Sequence, residues 1–112
     1  MPTAPKPTTL ADAFLAAQRA MESPAMTGEN PHFKSRFVPR DEVLAVVKAA
    51  LNAQGVAIVQ SPTPLGEMLY LHGYGETWEL GPYPVEPNAD PQRLMAAFTY
   101  ASRGQLMHVF AL

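Results

Sequence analysis

Twelve prolines in 112 residues, about twice the ordinary share of ~5%, are what most restrict how this chain can fold. Proline fixes φ, lacks an N–H and breaks helix interiors, so long helices are confined to the intervals between prolines. In one interval Thr9, followed three residues later by Asp12, resembles a capping box. Leu10, Ala13, Phe14, Ala17, Ala20 and Met21 then recur at helical spacing up to Pro24. In another, Asp41 suits an N-cap, and Val43, Leu44, Val47, Ala50 and Leu51 form an apolar face. Gly55 suits the stop, which predicts a helix over 41–54. In the last, Asp90-Pro91 makes a capped start with proline at the first helical position, and residues 92–110 hold no further proline. That long helix should carry Leu94, Phe98, Ser102, Leu106 and Val109 on one side and Arg93, Tyr100, Arg103 and Met107 on the other, with Gly104 weakening it locally by about 1 kcal/mol.

Between the second and third helices the texture changes. Val56–Gln60, Glu67–His72 and Thr77–Leu80 read as short strands, separated by Pro62, Pro64 and Gly66 and then by Gly73-Tyr74-Gly75. They predict a three-stranded antiparallel meander, with Trp78 and Leu80 on one face and Thr77 and Glu79 on the other. Because so small a sheet is not stable alone, one face should meet a helix. The expected class is α+β, a three-stranded antiparallel sheet packed on helices. Residues 1–8, with three prolines, are expected to be a flexible arm, and 9–112 a single domain.

Formal net charge is −2, which argues against a protein that holds nucleic acid by a general positive field. Any phosphate binding must be local, and the cations are in fact unevenly placed: Lys34, Arg36 and Arg40 fall within seven residues, while Glu76, Glu79, Glu86 and Asp90 gather later. With no cysteine there are no disulfides and no thiolate sites, which suits a reducing cytoplasm. No run approaches the ~20 apolar residues of a membrane span, and the start lacks an apolar signal core, so a soluble intracellular protein is expected.

The densest chemistry lies in Asn30-Pro31-His32-Phe33-Lys34-Ser35-Arg36-Phe37, read as mostly loop because Pro24, Gly28, Pro31 and Pro39 punctuate residues 23–40. Lys34 and Arg36 can neutralise phosphates, while His32, Phe33 and Phe37 offer flat faces to unpaired bases. The bland reading is that the phenylalanines pin the loop to the core and the cations are solvated.

These eight residues resemble the Asn-Pro-His-Phe-Lys-Ser-Lys/Arg-Tyr box of the ERF (essential recombination function) family of phage single-strand annealing proteins. A second resemblance runs through Asp90-Pro91-Gln92 and Thr99-Tyr100-Ala101-Ser102-Arg103, similar to the family's Asp-Pro-Gln and Thr-Tyr-Ala-Arg-Arg-Tyr-Ala-Leu. Leu51 to Gln60 is similar to its joint between helix and first strand. The chain departs from the pattern at Ser102, where the family favours an arginine, and at Gly104, where it favours an aromatic. One cation and one stacking ring are therefore missing from the last helix.

The resemblance implies the β-β-β-α core of annealing proteins, here preceded by two helices. It also implies an ATP-independent phage or prophage recombinase that binds single-stranded DNA in a bacterial cytoplasm and pairs complementary strands through an annealed duplex intermediate. Lys34, Arg36, Arg40 and Arg103 would grip the backbone, and His32, Phe33 and Tyr100 would stack bases. Such contacts carry no sequence information, as annealing requires. A small acidic protein holds few nucleotides alone, so a homo-oligomeric ring or filament is expected, with free strand edges or the arm as subunit contacts. An exonuclease or a host single-strand-binding protein is a candidate partner.

Enzyme readings lack a catalytic set. His32, His72 and His108 are dispersed, Gly73-Tyr74-Gly75 reads as a hairpin turn, and no nucleophile elbow or phosphate-cradling loop occurs. Neither a metal nor a cofactor is expected. The rival reading is an interaction or scaffold domain that keeps the fold without annealing, motivated by the net charge, Ser102 and Gly104.

Overall fold

The computed structural model describes residues 6–21, 28–30, 35–37 and 39–112, with 28–30 and 35–37 described as backbone alone. The fold is α+β. In chain order the elements are α1 (Leu10–Ala20), β1 (Gly28–Asn30), β2 (Ser35–Phe37), α2 (Arg40–Ala53), β3 (Ala57–Thr63), β4 (Gly66–Gly73), β5 (Glu76–Glu79), β6 (Tyr83–Pro84) and α3 (Pro91–Val109). No described helix is long and apolar enough to cross a membrane.

Helix ends follow local chemistry. Thr9 caps α1, its hydroxyl accepting from the Asp12 N–H at 3.1 Å. A second bond comes from outside the helix, because the Leu10 N–H donates to the Glu76 carboxylate at 2.9 Å and so fastens α1 to β5. The helix stops at Ala20, short of Pro24, and Ala20 itself is exposed. Asp41 is not the cap expected of it. Pro39 occupies that position without a side-chain bond, and Asp41 lies in the first turn, where a carboxylate still favours the positive end of the helix. At the other end Gly55, at φ 77°, and Val56 donate to the carbonyls of Asn52 and Leu51, the pairing of a Schellman stop. Asp90 caps α3 by accepting from the Gln92 N–H at 3.0 Å, with Pro91 opening the helix.

The main sheet has the order β3-β4-β5, all antiparallel, and β6 pairs with the opposite end of β4. Its register sets Ile58 beside Leu71, Gln60 beside Leu69 and Trp78 beside Leu71, so these residues share the face that the helices cover. Thr77 and Glu79 lie on the other face and are exposed, as the alternation predicted. Under the helices the core joins Leu10, Ala13 and Ala17 of α1, Val43, Val47 and Leu51 of α2, Leu69 and Leu71 of β4, and Leu106 and Phe110 at the end of α3. Phe14 stacks on Phe110 with ring centroids 5.3 Å apart and meets Trp78 at 5.7 Å, closing α1 over both the sheet and the last helix.

The structure differs from the sequence expectation in four further places. The stretch read as loop contains a two-stranded ribbon, β1 against β2, pairing Gly28 with Phe37, Glu29 with Arg36 and Asn30 with Ser35. Neither strand contains a proline, so no ladder donor is missing within them. β3 runs through Pro62 to Thr63, because it is an edge strand whose ladder uses backbone groups on one side only. Within the supposed proline-rich loop, Tyr83-Pro84 forms β6. Met107, assigned to the far side of α3, packs on the core instead, since α3 is flanked by α2 and by β4 and β6 together.

β6 explains two glycines. Gly66 has φ 141°, and a Cβ there would stand 2.1 Å from the Tyr83 carbonyl oxygen. The Tyr83 ring then lies on α3 at Gly104, where a Cβ would stand 2.9 Å from its hydroxyl. The glycine that weakens the helix thus admits an aromatic ring from a neighbouring strand. Gly66→Ala is expected to cost about 2–3 kcal/mol by forcing β6 off β4, read as a lowered urea midpoint with an unchanged slope.

Candidate nucleic-acid interface

Arg40, the first residue of α2, reaches across to α3 and β3. Its Nε donates to the Ser102 hydroxyl at 2.6 Å and its Nη2 to the Gln60 side-chain carbonyl at 3.3 Å. Ser102 passes its own proton to the same Gln60 oxygen at 2.9 Å. The Gln60 amide nitrogen donates to the Ser102 carbonyl at 3.1 Å and to Gln105 Oε1 at 3.0 Å. Gln105 completes the chain by donating to the backbone carbonyls of Glu67 at 2.7 Å and Leu80 at 3.0 Å. One polar network, buried at Ser102 and Gln105 and partly buried elsewhere, therefore joins α2, α3, β3, β4 and the segment after β5. Among the described residues no fully enclosed side-chain nitrogen or oxygen lacks a partner.

Beside this network, Pro39, Arg40, Asp41, Ala96, Thr99, Tyr100 and Arg103 line a groove of about 540 Å³ between the start of α2 and the middle of α3. Tyr100 is 66% exposed, and the Arg103 guanidinium carbon lies 4.8 Å from its ring centroid. That cation–π contact is worth about 0.5–1 kcal/mol at an exposed site and holds the ring in place. A guanidinium covers one face of a ring, which leaves the other for a flat ligand. The groove thus carries two cations, one carboxylate and an exposed aromatic face.

Three of the residues assigned to DNA from sequence, Arg40, Tyr100 and Arg103, are brought together here from two helices 60 positions apart in the chain, counted from Arg40 to Tyr100. Arg36 lies in β2 opposite Glu29 by backbone register. His32, Phe33 and Lys34 lie outside the described residues. Ser102, expected to mark a missing surface cation, is 3% exposed and faces inward, where it anchors Arg40. An arginine there would set a second guanidinium against that of Arg40 and remove the hydroxyl that accepts from it. The ring missing at Gly104 has its counterpart in Tyr83.

Sequence reasoning passed over Glu67, the one carboxylate in the buried set, at 5% exposed. The signal was present in strand parity, since Glu67 shares its side of β4 with Leu69 and Leu71, both fully buried. Burial pushes its carboxyl above the ordinary value, and the Arg40 guanidinium opposes that rise in part.

No protein-family model, no curated protein and no solved structure matches this chain.

Two outcomes are expected. Ser102→Ala leaves the Arg40 Nε–H and one Gln60 lone pair without their partner and should lower stability by about 1–3 kcal/mol in urea unfolding. Because folded Glu67 keeps its proton to higher pH than the unfolded chain does, the stability it contributes is present below about pH 4 and lost as pH rises through its folded-state value. Glu67→Gln should flatten that decline when unfolding midpoints are measured from about pH 4 to about pH 8.

Proposed function

We propose that this chain binds single-stranded DNA and pairs complementary strands without ATP, as an oligomer, in the manner of the recombination family its sequence resembles. The observation that carries the reading is the groove in which Arg40, Arg103 and the exposed ring of Tyr100 converge. Guanidinium groups meet phosphates, and a tyrosine face pinned by a cation stacks on any base, so the groove suits a strand irrespective of its sequence. A duplex keeps its base faces covered and has nothing to offer Tyr100. The His32–Arg36 segment adds further cations and rings to the same proposal. Two guanidinium groups per groove, one of them tied into the interior, hold few nucleotides, so copies arranged side by side would supply avidity.

Asp41 on the groove wall and the net charge of −2 favour the rival, an interaction domain that does not anneal. Fluorescence anisotropy with a labelled unstructured oligonucleotide, against the same sequence as duplex and over a salt series, separates the two. The expected result is preference for the single strand with affinity falling steeply as salt rises. Tyr100→Ala should weaken binding about tenfold, and Arg103→Ala should reduce the salt slope by about one. Absence of binding at low salt by folded protein would favour the rival, and unchanged strand pairing in a Lys34→Ala, Arg36→Ala double variant would remove those two residues from the interface.

A further inference from the structure

Arg40 and Thr99 line a second depression as well as the groove. It is an open cleft of about 250 Å³ that continues over Gln60, Pro62, Glu67, Phe98 and Ser102. The cleft is smaller than the ~300–1,000 Å³ of a drug-sized ligand's pocket, so its occupant has the size of a single heterocycle.

Two polar groups meet there with capacity unspent. Glu67 is 95% enclosed, being 5% exposed, yet among the described residues its carboxyl makes no hydrogen bond and no close ion pair, and only the field of the Arg40 guanidinium acts on it. Since none of the fully enclosed polar side-chain atoms among those residues is unpartnered, the carboxyl oxygens are the part of Glu67 that reaches the cleft. Arg40 commits two N–H groups, one to Ser102 and one to Gln60, out of the five a guanidinium carries. An anion in this cleft would face the Glu67 carboxylate, and a simple cation would face Arg40. A neutral ligand that sets acceptors beside donors satisfies both.

We propose that the cleft takes one guanine of a strand lying in the groove, with Arg40 donating to its O6 and N7 and Glu67 accepting from its N1–H and exocyclic amine. The inference rests on the groove being a single-strand site. Among the four bases only guanine offers an acceptor pair together with a donor pair, so only guanine engages both side chains with two bonds each. Its donors ask for the ionised carboxylate, a form that burial disfavours and that the neighbouring Arg40 guanidinium favours in part. Phe98, half-buried in the cleft wall, supplies apolar surface for the purine. One base held in this way leaves its neighbours free to pair.

The test compares binding of the full chain to an oligothymidine strand, to the same strand with interspersed guanines, and to that strand with hypoxanthine replacing guanine, which removes only the exocyclic amine. The guanine strand is expected to bind about tenfold tighter than oligothymidine, and hypoxanthine should lose most of that gain. Glu67→Gln, checked for folding by circular dichroism, should bind oligothymidine as the parent does and lose the preference for guanine. Equal affinity for all three strands would overturn the cleft assignment while leaving the groove reading intact. Absence of binding to every strand would overturn both. The hypoxanthine arm uses unaltered protein, so it decides the matter even where the variant fails to fold.

Discussion

The hydrogen-bond network centred on Gln60, Ser102 and Gln105 is the interaction on which the rest of this structure depends. Apolar packing holds α1, α2 and the far end of α3 against the sheet, but the middle of α3 meets β3 and β4 through polar side chains. In a low-dielectric interior such groups are costly unless each finds its partner, so a satisfied network fixes one relative position of the elements where apolar contacts alone would tolerate several. Gln105 is 2% exposed and bonds two backbone carbonyls, those of Glu67 and Leu80, joining α3 to β4 and to the segment that follows β5. Register of helix on sheet is set there.

Arg40 sits at the boundary of that network and of the groove beside it. Two of its five N–H donors hold the fold together, and the same side chain lines both depressions. A cation fixed in this way loses little conformational freedom when a ligand arrives, which is the advantage of a preorganised site over a mobile lysine. Tyr100 and Arg103 stand within one turn of α3 from the anchored Ser102, so what locks the helix also aims the exposed ring. The anchor of the helix and the wall of the groove are therefore coupled through one short stretch, residues 99–103. Serine at position 102, rather than a further arginine, is what permits the coupling.

Much of the fold could be read directly. Capping at Thr9 and Asp90, the glycine stop at 55, the alternation of Trp78 with Thr77 and Glu79, and the helical spacing of Val43, Val47 and Leu51 are local signals, and local hydrogen bonds honour them. The misread places share a cause. Pro62 inside β3, the two-residue β6 and the ribbon of β1 and β2 depend on which backbone groups face a partner strand, and a partner lies elsewhere in the chain. Proline breaks a strand only where its missing N–H is needed, so its cost is set by neighbours rather than by its own position.

By itself the sequence determined the class of the three helices and of the three longer strands, the apolar faces that had to be covered and the residue types able to meet phosphates and bases. Those follow from proline, capping and periodicity, which act within a few residues. Tertiary structure alone decided that Arg40 would reach from α2 to Ser102, that Gly104 would make room for Tyr83, and that Glu67 would line a cleft together with Arg40. Each pairs residues 21 to 62 positions apart, as the separations of 83 from 104 and 40 from 102 give. Burial and hydrogen-bond closure act across space, so a residue's one-dimensional neighbourhood holds no record of them until the chain has folded.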